Sequence, residues 1–264
     1  MKLQNKRFLV TGATGGIGSV VCKLLAEKGA RLLMTSTQLV ALDLLRKQLP
    51  GSHEFAVANL DTATGRQDVV DACAEQGGID GLINLAGVLD FALFEQQSPD
   101  MIEKIIATNL LAPMLLCHAV LPALRTRETA VLLNVGSIFG SIGHPGFVSY
   151  CTSKAGMKCF TEALARELAD TPVRVAYIAP RATATTMNGA RVDALNAALG
   201  NKADTPEFVA GEIVAFLKGN ERIRYLGWPE KLFVRINAVL PGLVHNSLVR
   251  NLPVIKKFAT AGEM

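Results

Sequence analysis

An α/β domain built on a doubly wound, open parallel sheet is the fold class that this sequence predicts. Three observations carry the expectation. Short, largely apolar segments alternate with segments of helical period along most of the 264 residues. Strands without polar alternation are buried on both faces, as in parallel sheets covered by helices. The first of them runs into a glycine-rich turn that opens a helix, and open α/β sheets bind ligands at the carboxyl ends of their strands.

The elements follow in order. Residues 7–12 (RFLVTG) form the first strand, and 17–29 (IGSVVCKLLAEKG) a helix stopped by Gly29. Residues 30–36 are a second strand, and 39–51 a helix closed by Pro50 and Gly51. A third strand spans 54–60, a helix lies near 63–76, and a fourth strand spans 79–87. Residues 105–124 (IIATNLLAPMLLCHAVLPAL) lack Asp, Glu, Lys and Arg over about the length of a membrane span. Asn109, Pro113, His118 and Pro122 interrupt them, so the segment reads as a helix buried against the core or a partner subunit. Residues 129–137 are a fifth strand, followed by a helix carrying Tyr150 and Lys154, and 173–180 are a sixth.

Composition narrows the function. Half the residues are apolar and 19% are charged, which suits a globular chain. A net charge of +4 is too small to argue for nucleic acid. It is unevenly placed, because five Lys/Arg and two acids, Glu230 and Glu263, follow Trp228. Five cysteines without a CxxC pair suit free thiols in a reducing compartment, and a cytoplasmic protein is the default. His53, His118 and His245 show no ligand spacing, and no metal is expected.

Two features bear chemistry. In TGATGGIG, residues 11–18, the glycines let the backbone turn tightly and approach a pyrophosphate at the helix N-terminus. The spacing parses as GxxxGxG or GxxGxxG, so it does not choose a subfamily. Tyr150 and Lys154, four residues apart, share a helix face. Either they merely pack, or the ammonium draws the phenol below its usual pKa of about 10 and makes it a proton donor.

Gly12, Gly16 and Gly18, the run Asn84 to Gly87, Asn109, Ser137 and the pair Tyr150 and Lys154 together resemble the short-chain dehydrogenase/reductase family over about residues 5–218. The nearest in pattern are single-domain reductases of the 3-oxoacyl-carrier-protein type. The resemblance implies a Rossmann-like sheet and an NAD(P)H-dependent oxidoreductase acting on a carbonyl or its alcohol. It makes Tyr150 the general acid/base, with Lys154 tuning it and holding a nicotinamide ribose. Ser137 would bond the carbonyl oxygen, and Asn109 would organise a water relay behind Lys154.

Cofactor contacts are expected from Gly12, Thr14, Gly15, Gly16, Ile17 and Gly18, from Ser36 and Thr37, and from Asn59 and Leu60. Asn84, Ala86, Gly87, Tyr150, Lys154, Pro180, Thr183 and Thr185 complete the set. Residues 34–38 (MTSTQ) hold neither the acid that selects NAD nor the arginine that selects NADP. The missing carboxylate, with Ser36 and Thr37 as donors, favours NADP over NAD. At Pro180-Arg181 the family usually has Pro-Gly; Arg181 reads as a solvated side chain ahead of one that meets an anionic substrate or cofactor phosphate.

Substrate contacts are expected from the loops after the fourth to sixth strands, at Leu89, Ile138, Phe139, His144, Phe147 and Met187, with His144 more simply a solvent-facing bystander. Mostly apolar, they suit a 3-oxoacyl thioester, a polyketide or a sterol-like ketone. Residues 1–227 are expected to form the dinucleotide-binding and catalytic domain. Residues 228–264 read as a cationic amphipathic pair of helices that packs on the domain as an apolar lid over the substrate pocket, or on a sister subunit, ahead of lying on a membrane surface. A homodimer or homotetramer is expected. A cofactor-binding regulator and a membrane-surface module are the alternatives; a nucleotide-sugar epimerase or dehydratase would need a larger C-terminal domain.

Overall fold

In the computed structural model, residues 1–260 are described; residues 261–264, Glu263 among them, lie outside the described residues. Seven parallel strands form one sheet: β1 (Arg7–Thr11), β2 (Arg31–Ser36), β3 (Glu54–Val57), β4 (Gly81–Asn84), β5 (Ala130–Val135), β6 (Val173–Ala179) and β7 (Ile223–Tyr225). Their order is β3-β2-β1-β4-β5-β6-β7. Alternate strand residues point to opposite faces, so each strand feeds two cores. Phe8, Val10, Leu32, Met34, Val131 and Leu133 join one, and Leu9, Leu33, Leu82 and Leu132 the other. The doubly wound expectation holds, with one addition. The edge strand β7 was not foreseen, because three residues with an arginine at the centre leave no apolar run.

Helices cover both faces. On one lie α1 (Gly16–Glu27), α2 (Leu39–Gln48) and α8 (Pro206–Lys218), and on the other α3 (Ala63–Glu75), α5 (Ala112–Leu124) and α6 (Val148–Glu167). Short polar caps start several of them. Thr62, Ser98 and Thr205 each accept the N–H three residues on, at 3.1–3.2 Å. Helix α4 (Pro99–Ile106) continues through a π turn at Ala107–Leu111 into α5. This stretch is long and apolar enough to cross a membrane, but Leu116, Cys117, Val120 and Leu124 pack it into the core.

Helix α7 (Ala190–Ala198) and the tail close over the carboxyl ends of the strands. The tail is three helices rather than two: α9 (Glu230–Val239), α10 (Pro241–Arg250) and α11 (Leu252–Ala259). Pro241 and Pro253 stand in the first turns of α10 and α11, where a missing N–H is harmless, so each proline starts a new helix. Ile255 and Ala259 are buried with Phe91, Phe147, Val192 and Leu195, and Val234 with Ile138 and Ile142.

Candidate active site

The site begins at the turn between β1 and α1. Gly12 adopts φ +64°, a conformation that glycine takes readily. A Cβ there would lie 2.8 Å from the backbone N and Cα of Ala86, and one on Gly18 would strike the Gly12 carbonyl. Across the turn, a Cβ on Gly16 would meet Thr185 Cγ2 at 2.8 Å. The result is a cradle of bare backbone at the positive end of α1, whose N-cap, Gly15, has no side chain to cover its N–H groups.

Polar ties hold the neighbouring elements in register. Thr11 Oγ1 accepts from the N–H groups of Leu85 and Ala86, both at 3.1 Å, and pins the loop after β4 to β1. Asn84 Nδ2 donates to Asn134 Oδ1 at 2.8 Å, and Asn134 Nδ2 to Thr161 Oγ1 at 2.9 Å. This buried chain joins β4 and β5 to α6, the helix that carries Tyr150 and Lys154.

Asn109 sits inside the π turn, deeply buried. Its Oδ1 accepts from Val88 N at 2.8 Å, while Nδ2 donates to Val88 O at 2.9 Å and to Ser153 Oγ at 3.1 Å. Pro113, four residues on, has no N–H for the Asn109 carbonyl, which fits the local departure from α geometry. Asn109 Oδ1 and Lys154 Nζ both border Gly87, since a Cβ there would lie 3.2 and 3.6 Å from them.

Lys154 is buried and donates from Nζ to Val135 O at 3.2 Å. Its Nζ stands 5.8 Å from the centre of the Tyr150 ring. Ser137, just past β5, accepts from Phe139 N at 3.1 Å. Its backbone is held on both sides by the phenol of Tyr177, which accepts from Ser137 N at 3.4 Å and donates to Ser137 O at 3.3 Å. The Ser137 side chain also acts on the Tyr150 phenol, favouring its ionised form.

The electrostatics correct the expected direction. Burial pushes the Tyr150 phenol up to about 12, and Ser137 opposes that rise without reversing it. Burial brings the Lys154 ammonium down to about 8. Burial therefore shifts both groups toward their neutral forms, yet Lys154 remains mostly charged at neutral pH, and the lysine does not draw the tyrosine down.

A cleft of about 790 Å³ unites these groups. Ser137, Tyr150 and Lys154 line it, whereas Asn109 stands behind them. Of the expected cofactor contacts, Gly12, Gly15, Gly16, Ile17, Gly18, Gly87, Pro180, Thr183 and Thr185 line it as well. Thr14, Ser36, Thr37, Asn59, Leu60, Asn84 and Ala86 do not. Thr14 and Ser36 bond each other at 2.7 Å beyond the glycine turn, Thr37 and Asn59 are exposed, and the Asn84 amide belongs to the buried chain.

All six expected substrate contacts, Leu89, Ile138, Phe139, His144, Phe147 and Met187, line the cleft. His144 is no solvent-facing bystander. It stacks on Phe139 at 4.9 Å and is held against its charged form by burial. Arg181 is not solvated either: it bonds Asp204 Oδ1 at 2.6 Å, Glu230 Oε2 at 3.1 Å and Trp228 O at 3.2 Å. It thus clamps the loop after β6 to the start of α9. Tyr177, Asn134 and the tail residues Phe233 and Leu243, which also line the cleft, were missed by sequence reasoning. Their partners lie far away along the chain, so no local spacing announces them.

Comparison with known proteins agrees with this geometry. Residues 6–196 match the family model for short chain dehydrogenase. The chain is 33% identical over 194 residues to 3-oxoacyl-[acyl-carrier-protein] reductase FabG of Vibrio cholerae, covering 73% of this chain and 80% of that one. A short chain dehydrogenase from Burkholderia cenocepacia, solved in complex with NADP, superposes with a TM-score of 0.81 at 22% identity, over 94% of this chain and 99% of that one. A 3-ketoacyl-(acyl-carrier-protein) reductase from Brucella melitensis, complexed with NADH, gives 0.78 at 23% identity, over 84% and 96%. These two show the same fold. With the glycine cradle, Ser137 and Tyr150 in one cleft and a family match over most of its length, this chain belongs to the short-chain dehydrogenases, a family of oxidoreductases.

Proposed function

We propose that the protein is an NADP-preferring reductase of a hydrophobic ketone, 3-oxoacyl thioesters first among them, or runs the reverse alcohol oxidation. One observation carries the reading: Ser137, Tyr150 and Lys154 face a single cleft whose one end is a bare glycine cradle and whose other walls are apolar. The names of the relatives support the acyl substrate, and the two neighbouring structures support a nicotinamide dinucleotide.

The residues present fit that group. The cradle excludes side chains where a pyrophosphate needs close backbone approach, and the α1 N-terminus supplies the positive field. Gly12 and Gly15 to Gly18 would hold the phosphates, Lys154 the ribose, and Thr183 and Thr185 the carboxamide end. Ser36 and Thr37, with no carboxylate in residues 34–38, leave room for a 2′-phosphate. When bound, the cofactor supplies the hydride to the carbonyl carbon or accepts it from the alcohol.

This chain's own part is to orient the carbonyl and move a proton. Ser137 Oγ bonds the carbonyl oxygen, fixed because Tyr177 grips its backbone. Tyr150 keeps its proton at neutral pH and gives it to that oxygen as negative charge grows there. The apolar walls exclude water, which strengthens these contacts. Lys154 and Asn109 lead away behind Tyr150, and a proton from solvent returns by that side. Residues 1–227 hold the chemical groups, and the described residues of the tail, 228–260, close the apolar end.

Turnover would be read as loss of NADPH absorbance, with NADH in parallel, over ketones from small diketones to long 3-oxoacyl thioesters. Rates rising with chain length support the acyl reading. Tyr150→Phe should keep cofactor affinity and lose on the order of 10²–10⁴ in rate. Full activity in that variant would sink the mechanism, and cofactor binding without turnover on any ketone would favour a sensing role.

A further inference from the structure

The corner between α9 and α10 is unusual for a surface. Five consecutive residues, 239–243 (VLPGL), carry no polar side chain, and Val239 is 76%, Leu240 55% and Leu243 61% exposed. Trp228, Leu232 and Phe233, toward the other end of α9, are exposed as well, and Trp228 is 63% exposed. Exposed apolar side chains gathered at one corner mark contact sites.

Charge says what the contact is. Lys231, Arg235 and Arg250 are exposed on the helices that bear the patch, and Lys231 sits 5.4 Å over the Trp228 ring. Among the described residues from 228 onward Glu230 is the sole acid, and it is neutralised inside by Arg181. Among the described residues the tail therefore shows apolar side chains and cations with no free side-chain carboxylate beside them. A tryptophan and basic residues on the helix that leads to an apolar tip match the boundary between acyl chains and anionic headgroups.

The patch is also continuous with the cleft. Phe233 and Leu243 are exposed on their outer sides and line the cleft on the other, beside Ile236, Val244 and Leu248. We propose that the α9–α10 corner seats on an anionic lipid surface, so that the cleft opens toward the bilayer and takes an apolar substrate from it. The seating stands on surface residues alone; the substrate route rests on the reductase reading above.

Trp228 is the only tryptophan in the chain, so the proposed surface contains its own probe. The full-length protein would be mixed with phosphatidylglycerol/phosphatidylcholine vesicles, and with phosphatidylcholine alone, in the absence of substrate. Flotation with the anionic vesicles is expected, together with a blue shift of Trp228 emission and quenching by bromine-labelled acyl chains. Binding should weaken with salt. Val239→Ser with Leu240→Ser, neither of which lines the cleft, should weaken it about a hundredfold. Lys231→Glu with Arg235→Glu should weaken it on the order of tenfold or more. NADPH affinity, unchanged in both variants, certifies the fold.

Absence of flotation and of any emission shift overturns the proposal, whatever the enzyme assay gives. Binding that ignores both variants overturns it too. If the wild type self-associates without vesicles and Val239→Ser with Leu240→Ser makes it smaller by sedimentation, the face belongs to a second copy and the lipid assignment falls. Vesicle binding with no ketone turnover would uphold the seating and remove only the substrate route.

Discussion

Tyr150 and Lys154 show how one residue's environment can oppose its neighbour's influence. Spacing alone suggested a lysine that lowers a phenol, yet both are buried, and desolvation penalises each charged form. For the lysine the sign is definite. Its pKa in the folded protein is about 8 against 10.5 for the free side chain, so burial destabilises the fold where the amine is charged, and that penalty fades as pH rises from about 8 to 10.5. Relative to Lys154→Met, wild type is therefore expected to gain about 3 kcal/mol over that window, an order-of-magnitude figure. Denaturant melts of the two proteins at pH 7 and pH 10.5 check it, and a constant gap would contradict the assignment. Tyr150 and Lys154 stood out by their local spacing, whereas Ser137 was named only through the family resemblance. Tyr177, which steadies Ser137 from forty residues away, was not, since a tyrosine in an apolar strand reads as core.

Among the elements, the glycine turn and the six longer strands were legible from apolar runs and punctuation, and the tail was legible only as amphipathic. Arg181 supplies what the pattern lacked. Standing at the end of β6, where the family usually has glycine, it joins Asp204 before α8 and Glu230 at the start of α9. Its side chain is only 13% exposed, so removing it leaves two partly buried carboxylates without their partner. Arg181→Met should cost about 3 kcal/mol and loosen α9 from the domain. Hydrogen exchange is the direct readout, with protection expected to fall at 230–239 and to stay intact in β1 and β5. Equal protection in both proteins would mean that Val234 and Asn237, which donates to Ser141 O at 2.9 Å, suffice to hold the helix.

For the whole molecule, the apolar stretch at 99–124 has one face in the core, while Leu111 is 50% and Leu115 37% exposed. Val148, at the start of α6, is 42% exposed. If the chain forms the expected homodimer or homotetramer, these outward apolar side chains on the long helices are where contact between copies is predicted. Leu111→Glu with Leu115→Glu is expected to yield a smaller species by sedimentation while NADPH affinity persists, whereas an unchanged mass would place the interface elsewhere. The chain by itself determined the layered α/β fold and the glycine cradle, because periodicity and bare-backbone turns are written over short distances, and it pointed to the proposed trio of Ser137, Tyr150 and Lys154 through local spacing and a family resemblance. Tertiary structure alone decided the direction of the Tyr150 and Lys154 shifts, the pairing of Arg181 and which tail residues line the cleft. Each of those depends on burial and on partners far apart in sequence, which no local pattern encodes.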